Sequence, residues 1–538
     1  MNSRLGLIAA LAAMAWLAAA AAPAACAPTP APADVLTFHN DNFRRGSNPH
    51  ETILTHANVN PKTFGKLFSY PVDGYLYAEP LYVSQLAIPG QGTHNVVYVA
   101  SEHDSVYAFD ADGSNAAPLW QVSFIDPSNG ITTVPSSDLS CDNLVPEIGI
   151  TGTPVISLDK QALYVVSEVK NQNTGDYTMQ LHALDLATGA EKFGGPAAIS
   201  ATVVGQGTGT DGGHVSFNTM RANQRPALLL SGGMVYLAFA SNCDLGDYHG
   251  WLMAYDAATL ARKAVFNSTP NGSEGGIWQS GNGPSASGSG NIFIGIGNGT
   301  FNGDQPNPTE YGDSFVKLNP KTLRLLDYFT PSNQANMQAK DNDGGVTGAL
   351  LLPYQYFGSV AYELVGGNKS GRFYLLNRAA MGQFCPACND AQAVEVINAG
   401  GKLFDAPAFS HGLLYIGAVG VRLKAWQLIN GRLSASPVAK SATVFGYPGT
   451  SPAVSSNGSA QRIVWALDVS GYASADPAVL HAYRAFNLSE LYNSAQASGS
   501  RDTAGPAVKF TVPTVANGKV YVGTQTELDV YGLLPATP

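Results

Sequence analysis

An all-β, eight-bladed β-propeller is what this sequence predicts, on three observations. First, a five-residue figure returns eight times: VYAFD (Val106–Asp110), LHALD (Leu181–Asp185), LMAYD (Leu252–Asp256), FVKLN (Phe315–Asn319), FYLLN (Phe373–Asn377), LKAWQ (Leu423–Gln427), LHAYR (Leu480–Arg484) and LDVYG (Leu528–Gly532). Second, each copy follows an apolar β-type run such as NVVYVAS, ALYVVSE, MVYLAFA or KVYVGT. Third, the copies fall about 50 to 75 residues apart, a period that marks repeated supersecondary units. A unit of strand, turn and strand cannot bury its own apolar faces, so its neighbours must stack on it. Units of about four strands close radially, and eight figures give eight blades.

The blades follow in order along the chain. The first is expected over Phe68 to Trp120, with strands LFSYPV, EPLYVS, NVVYVA and VYAFD. The second runs from Gly149 (GITGTPVIS) through LHALDLATGAEKF, and the third from ALLLSGG to LMAYDAATLARKAVF. The fourth carries NIFIGIGNG and FVKLNPKTLRLLDYF, and the fifth ALLLP, YELVGG and FYLLN. LLYIGAVG and RIVWALD mark the sixth and seventh, and VPTVANGKVYVGTQTELDVYGLL the eighth. Turns such as DADG, DLATG and NPKTL place Asp, Asn and Gly where tight turns need them. The segment Val35–Arg45 is expected to complete the eighth blade and so remove the exposed edges at the chain ends. Two long loops, Ile125–Ile148 and Thr300–Tyr311, suit binding groups and equally suit tolerated decoration.

Composition narrows the class. Charged residues are 13% and hydrophobic residues 45% of 538, with 58 glycines, as suits a turn-rich protein of buried sheets. The net charge of −10 and the lack of a basic run weigh against nucleic acid or an anionic membrane as partner. Residues 1–25 read as a secretory signal: Arg4, an apolar run from Leu5 to Ala22, then small residues at Pro23-Ala24-Ala25. Residues 26–34 are a Pro/Ala-rich linker, leaving 35–538 as a single propeller domain. Cys26 opens a second reading, lipid anchoring in the envelope; Pro23, where a large aliphatic residue is expected, favours ordinary cleavage. No second long apolar run follows, so no membrane span is expected and the protein is read as secreted or periplasmic. Four further cysteines suit an oxidising compartment: Cys141, Cys243, Cys385 and Cys388. Cys385 and Cys388 have the spacing to close on each other. Zinc would need two further ligands nearby, and a c-type haem would need His where Asn389 stands.

Several runs together resemble a known family. SNCDLGDYHGWLMAYD (Ser241–Asp256), GGIWQSGN (Gly275–Asn282), NIFIGIGNG (Asn291–Gly299), FTP and KDNDGG (Lys340–Gly345) are similar, in kind and order, to the pyrroloquinoline-quinone (PQQ) dehydrogenases of methanol and ethanol. The likeness is specific over blades three to five. It implies a quinoprotein alcohol dehydrogenase-like propeller in which Trp278 lies under the quinone and Asp244 and Asn298 bind the metal, Ca2+ or a lanthanide. Asp341 is then the catalytic base, and Asp343 the additional carboxylate of lanthanide-using members. Glu79 and Lys369 are the candidates for contacts to the quinone itself. Blade two offers Cys141 alone where the family has an adjacent cysteine pair, and GITGTPV holds no arginine. The chemistry is coherent: a hard cation takes oxygen ligands, polarises a quinone carbonyl, and a nearby carboxylate accepts the alcohol proton.

The function this implies is oxidation of an alcohol or sugar, with electrons passed to a separate acceptor such as a cytochrome. The alternative is a non-catalytic propeller serving as a protein- or glycan-binding scaffold in the cell envelope. Trp278 equally suits packing between blades, and Asp341-Asn342-Asp343-Gly344 equally suits a turn or a structural calcium loop.

Overall fold

Residues 33–535 are described in a computed structural model of the chain. The expected signal segment 1–25, Cys26 and the linker up to residue 32 lie outside the described residues. Eight antiparallel sheets follow one another around a single axis. Blade one is Leu81–Ile88, Gly92–Ala100, Ser105–Asp110 and Trp120–Ser123, from the axis outward. In every blade the recurring figure is the third strand. The eight are Ser105–Asp110, Tyr177–Asp185, Trp251–Asp256, Phe315–Leu318, Arg372–Asn377, Val421–Ile429, Val479–Arg484 and Glu527–Leu533.

Third strands are buried on both faces, which is why they read as near-continuous apolar runs. Their side chains fill the layers between neighbouring blades. One such layer joins Tyr164, Leu181 and Ala183 of blade two to Leu237, Phe239 and Trp251 of blade three. Each fully buried Leu or Phe in these layers contributes about 1.5–3 kcal/mol.

A second device links the blades. At five of the eight junctions a second-strand tyrosine donates its hydroxyl to the carbonyl of the residue just after the next blade's figure. Tyr98 reaches Leu186 at 2.8 Å, Tyr164 reaches Ala257 at 2.5 Å and Tyr236 reaches Pro320 at 2.8 Å. Tyr415 reaches Ala485 at 3.1 Å and, across the ring closure, Tyr521 reaches Ala111 at 3.5 Å. A tight turn leaves that carbonyl without a ladder partner, and a buried phenol needs an acceptor, so each group satisfies the other.

Ring closure corrects the expectation. The strand that completes blade eight is Phe64–Pro71, which pairs antiparallel with Glu527–Leu533 from Phe64↔Leu533 to Pro71↔Glu527. LFSYPV therefore belongs to blade eight and not to blade one. Val35–Arg45 cannot serve as that strand, because His39, Asn40 and Arg44 have positive φ (54°, 67° and 62°) and break any extended run.

Instead, the segment from Val35 to Asn48 crosses the end of the axial channel and meets all eight blades in order. Val35 exchanges backbone hydrogen bonds with Tyr82 of blade one, and Leu36 O accepts from Ile156 N of blade two. Arg44 donates to Leu228 O of blade three and Pro284 O of blade four. Phe43 O, Arg45 O and Gly46 O accept from Leu351, Phe409 and Val454 of blades five, six and seven. Asn48 Nδ2 ends the series on Val515 O of blade eight. Phe38 fills the axis itself against Ala227, Ala406 and Val512. The segment is a plug, and it satisfies inner-strand groups that would otherwise face an open channel.

Candidate active site

The opposite end of the channel is built differently. Inner strands run from this end toward the plug: Phe404 precedes Ala408–Ser410, and Tyr447 precedes Ala453–Asn457. A cavity of about 180 Å3 lies here, lined by residues of blades three to seven and by Asn143 of the Ile125–Ile148 loop. Trp278 forms one wall. It sits in the crossing from blade three to blade four, fixed by Ile277 N donating to Phe239 O at 3.0 Å and Gly297 N donating to Gly276 O at 2.9 Å. Phe404 and Phe510 meet its indole edge-on, with ring centres 6.2 and 5.5 Å away and planes at 83° and 88°. Two perpendicular neighbours hold the indole plane in place.

The polar side comes from three segments. Asn298 follows the blade-four strand Ile292–Gly295. The loop bearing Asp341 and Asp343 follows the short helix Gln334–Ala339. It packs directly on the blade-four strand, because a Cβ at Gly295 would stand 2.4 Å from Gly345 O. Asp313 secures the loop by accepting from Gly344 N at 2.7 Å and Gln334 Nε2 at 3.1 Å; burial pushes its carboxyl up to about 7. Lys369, after the blade-five strand Glu363–Gly367, completes the group.

These residues form one network. Lys369 Nζ lies 2.8 Å from Asp341 Oδ1 and 2.9 Å from Asp343 Oδ2. Asn298 donates from its backbone to Asp343 Oδ1 at 2.9 Å and from Nδ2 to Asp341 Oδ1 at 3.0 Å. Asn298 Oδ1 is buried and unpaired. Burial raises the Asp343 carboxyl above the ordinary range, against the pull of Lys369. Burial works against the Lys369 ammonium, yet the two carboxylates hold it above its usual range. Asp343 is mostly buried, whereas the Asp341 side chain is 68% exposed at the rim, with positive φ (51°). Asp341 is thus the carboxylate that incoming solute meets.

Asp244 lines the same cavity from blade three. Its side chain accepts from Ser241 Oγ and interacts with the Tyr248 hydroxyl, whose pKa burial raises. Cys243, also in the wall, is bonded to Cys141, and Cys385 to Cys388. The first disulfide carries the Ile125–Ile148 loop across from blade two, bringing Asn143 into the lining. That loop is partly ordered into the strand Ile131–Pro135, paired with Ala162–Asn171.

The structure therefore gathers Trp278, Asp244, Asn298, Asp343 and Lys369 around one cavity, with Asp341 at its rim. It does not bring Glu79 there. Glu79 is fully buried near the plug, accepting from His39 N at 2.9 Å and Thr514 Oγ1 at 3.3 Å, and burial pushes its carboxyl up to about 8. Phe404, Tyr447 and Phe510 escaped the sequence reading, as did Arg225. The Arg225 guanidinium is buried 4.9 Å from the Phe510 ring centre, with one terminal nitrogen unpaired. No local motif marks these residues; only ring closure brings them together.

For a flat quinone the fit is good in kind. An immobilised indole, a lysine ammonium and an unpaired amide oxygen face one space. For a metal the donors are right in type, all oxygen, but Lys369 supplies the positive charge between Asp341 and Asp343. Among the described residues no three His, Cys, Asp or Glu side chains stand close enough to form a metal cluster by themselves.

Comparisons with solved structures agree on the fold. A quinohemoprotein alcohol dehydrogenase from Pseudomonas putida HK5 superposes over 94% of this chain and 82% of its own, with TM-score 0.60 and 15% identity. The quinohemoprotein alcohol dehydrogenase of Comamonas testosteroni gives 0.59 over the same shares, at 16% identity. A europium-containing methanol dehydrogenase gives 0.61 over 94% of this chain and 98% of its own, at 14% identity. No family model matches the chain, and no curated protein matches it by sequence.

Proposed function

With the eight-bladed fold of the quinoprotein alcohol dehydrogenases as premise, we propose that the chain is an exported quinoprotein-type dehydrogenase acting on an alcohol or sugar. One observation carries this reading: Lys369 and Asn298 both hold Asp341 and Asp343 at the cavity that Trp278 lines, its indole fixed by Phe404 and Phe510. Trp278 would support the quinone ring, Lys369 would face its oxygens, and Asp244, Asn298 and Asp343 would hold Ca2+ or a lanthanide. PQQ, when bound, supplies the two-electron acceptor for the hydride of the carbinol carbon. Asp341, exposed at the rim, takes the hydroxyl proton, and Lys369 and Asn298 orient its carboxylate. A separate acceptor would take up the electrons.

The test is reconstitution with PQQ and either Ca2+ or La3+, followed by dye reduction over a panel of alcohols and sugars. Activity that Asp341→Asn abolishes supports the assignment. Failure to retain PQQ would leave the envelope-scaffold reading in its place.

A further inference from the structure

A second cavity lies toward the plug end of blades four and five. The hairpin Ser285–Asn291, which precedes the strand Ile292–Gly295, borders it, whereas Gly297 and Asn298 at the other end of that strand line the first cavity. Its volume is about 410 Å3, within the range of small-molecule sites. Its walls are aromatic: Phe43 of the plug, Phe293, Tyr354 and Tyr362. Tyr354 packs edge-on against Tyr356 at 4.9 Å and Tyr362 at 5.2 Å. Tyr356 is 83% and Phe357 75% exposed on the same loop. Large aromatic side chains this exposed and clustered mark interaction sites.

Two cations stand among these rings. The Arg378 guanidinium is sandwiched between Phe43 and Tyr362, 5.6 Å from each ring centre, and is only 6% exposed. It donates from one terminal nitrogen to Leu352 O at 2.9 Å, while Nε has no partner. Lys317 donates to Arg378 O at 3.0 Å and retains two further N–H groups. Among the described residues neither forms an ion pair. Glu363, whose charge the guanidinium feels, keeps both carboxyl oxygens buried and unpartnered. A buried cation with no directly bonded counter-ion is costly, and an incoming anion would lower that cost.

We propose that this cleft binds a small aromatic carboxylate, its ring against the Tyr354, Tyr362 and Phe293 walls and its carboxylate on Arg378 and Lys317. The four rings favour a planar apolar body over a saccharide, and the paired cations require the negative charge. The site is independent of the redox reading.

Calorimetric titration of the full protein tests it, with 4-hydroxybenzoate as probe. Cyclohexanecarboxylate, 4-hydroxybenzyl alcohol and glucuronate serve as controls for ring, charge and sugar. One saturable site is expected, at least about tenfold tighter for 4-hydroxybenzoate than for any control. Arg378→Gln should weaken it by about tenfold or more. Tyr354→Ala, on the exposed loop, should also weaken it and guards against misfolding of the arginine variant. Trp278→Ala, in the other cavity, should leave it unchanged. The proposal is overturned by absence of saturable binding, or by equal binding of a control. It is equally overturned if Trp278→Ala removes the binding or if both cleft variants leave it intact.

Discussion

The two ends of the axial channel are closed by opposite kinds of contact. At the plug end, the segment from Val35 to Asn48 meets the blades through neutral backbone and side-chain amide groups and the buried guanidinium of Arg44. Even the His39 ring there is neutral, since burial lowers its pKa to about 3. At the cavity end, charged groups crowd together with exposed edges: Lys369 between Asp341 and Asp343, and an amide oxygen with no partner. A scaffold that only needed closing would treat both ends alike. The contrast sets a neutral, closed end against a charged, open one, which is the end the proposed chemistry uses.

That separation is open to attack by substitution. The largest effect is expected at the chemical end. Asp341→Asn in reconstituted protein should lower turnover by about a hundredfold or more, the range lost with a general base, and leave thermal unfolding nearly unchanged because the side chain is 68% exposed. At the plug end the effects should reverse. Arg44→Ala removes hydrogen bonds to Thr37, Phe38, Leu228 and Pro284. It should cost about 3–5 kcal/mol, as for breaking a buried polar network, read as the denaturant midpoint. If Arg44→Ala proves as stable as the parent, the plug does not hold the ring together.

A third, smaller effect concerns pH. Burial raises Glu79 to about 8 and Glu102 to about 7 from ordinary values near 4.5. These two carboxyls therefore bind more protons in the folded form than in the unfolded chain between about pH 4.5 and 8. Stability from these groups is present below that window and is lost as pH rises through it. Denaturation across pH 5 to 8 should show a fall of about 1–3 kcal/mol after allowance for relaxation of the buried groups. Glu102→Gln should flatten the slope; an unchanged profile in that variant would remove Glu102 from the account. The smallest effect belongs to the tyrosine latches. Tyr164→Phe deletes one hydroxyl and should cost about 1 kcal/mol, whereas Phe293, which holds the equivalent place in blade four, has no hydroxyl to lose.

What was legible in the sequence was whatever repeats locally. The figure from Val106 to Asp110 and its seven copies mark third strands because burial on both faces forces an unbroken apolar run that ends at a turn. The plug is not legible locally because Val35-Leu36-Thr37-Phe38 has the pattern of a strand, while the turns at His39, Asn40 and Arg44 rest on contacts far along the chain, such as Arg44 with Leu228 and Pro284. At the candidate site, Trp278, Asn298, Asp341 and Asp343 lay in recognisable runs, and Lys369 was proposed without its partners. Phe404, Tyr447 and Phe510 carry no signal, since each is an ordinary aromatic until the ring closes and sets Phe404 and Phe510 on Trp278, with Tyr447 against both. Glu79 stands in a promising run, yet it lies just before the inner strand Leu81–Ile88 and packs against the plug at His39.

The central claim is that the cavity beside Trp278 receives a quinone. Titrating PQQ, with Ca2+ or La3+, into the purified protein while following tryptophan fluorescence tests it most directly. Saturable quenching at one equivalent, lost in Trp278→Phe with the fold intact by circular dichroism, is the predicted result. Unquenched fluorescence, or quenching that the variant retains in full, would contradict it.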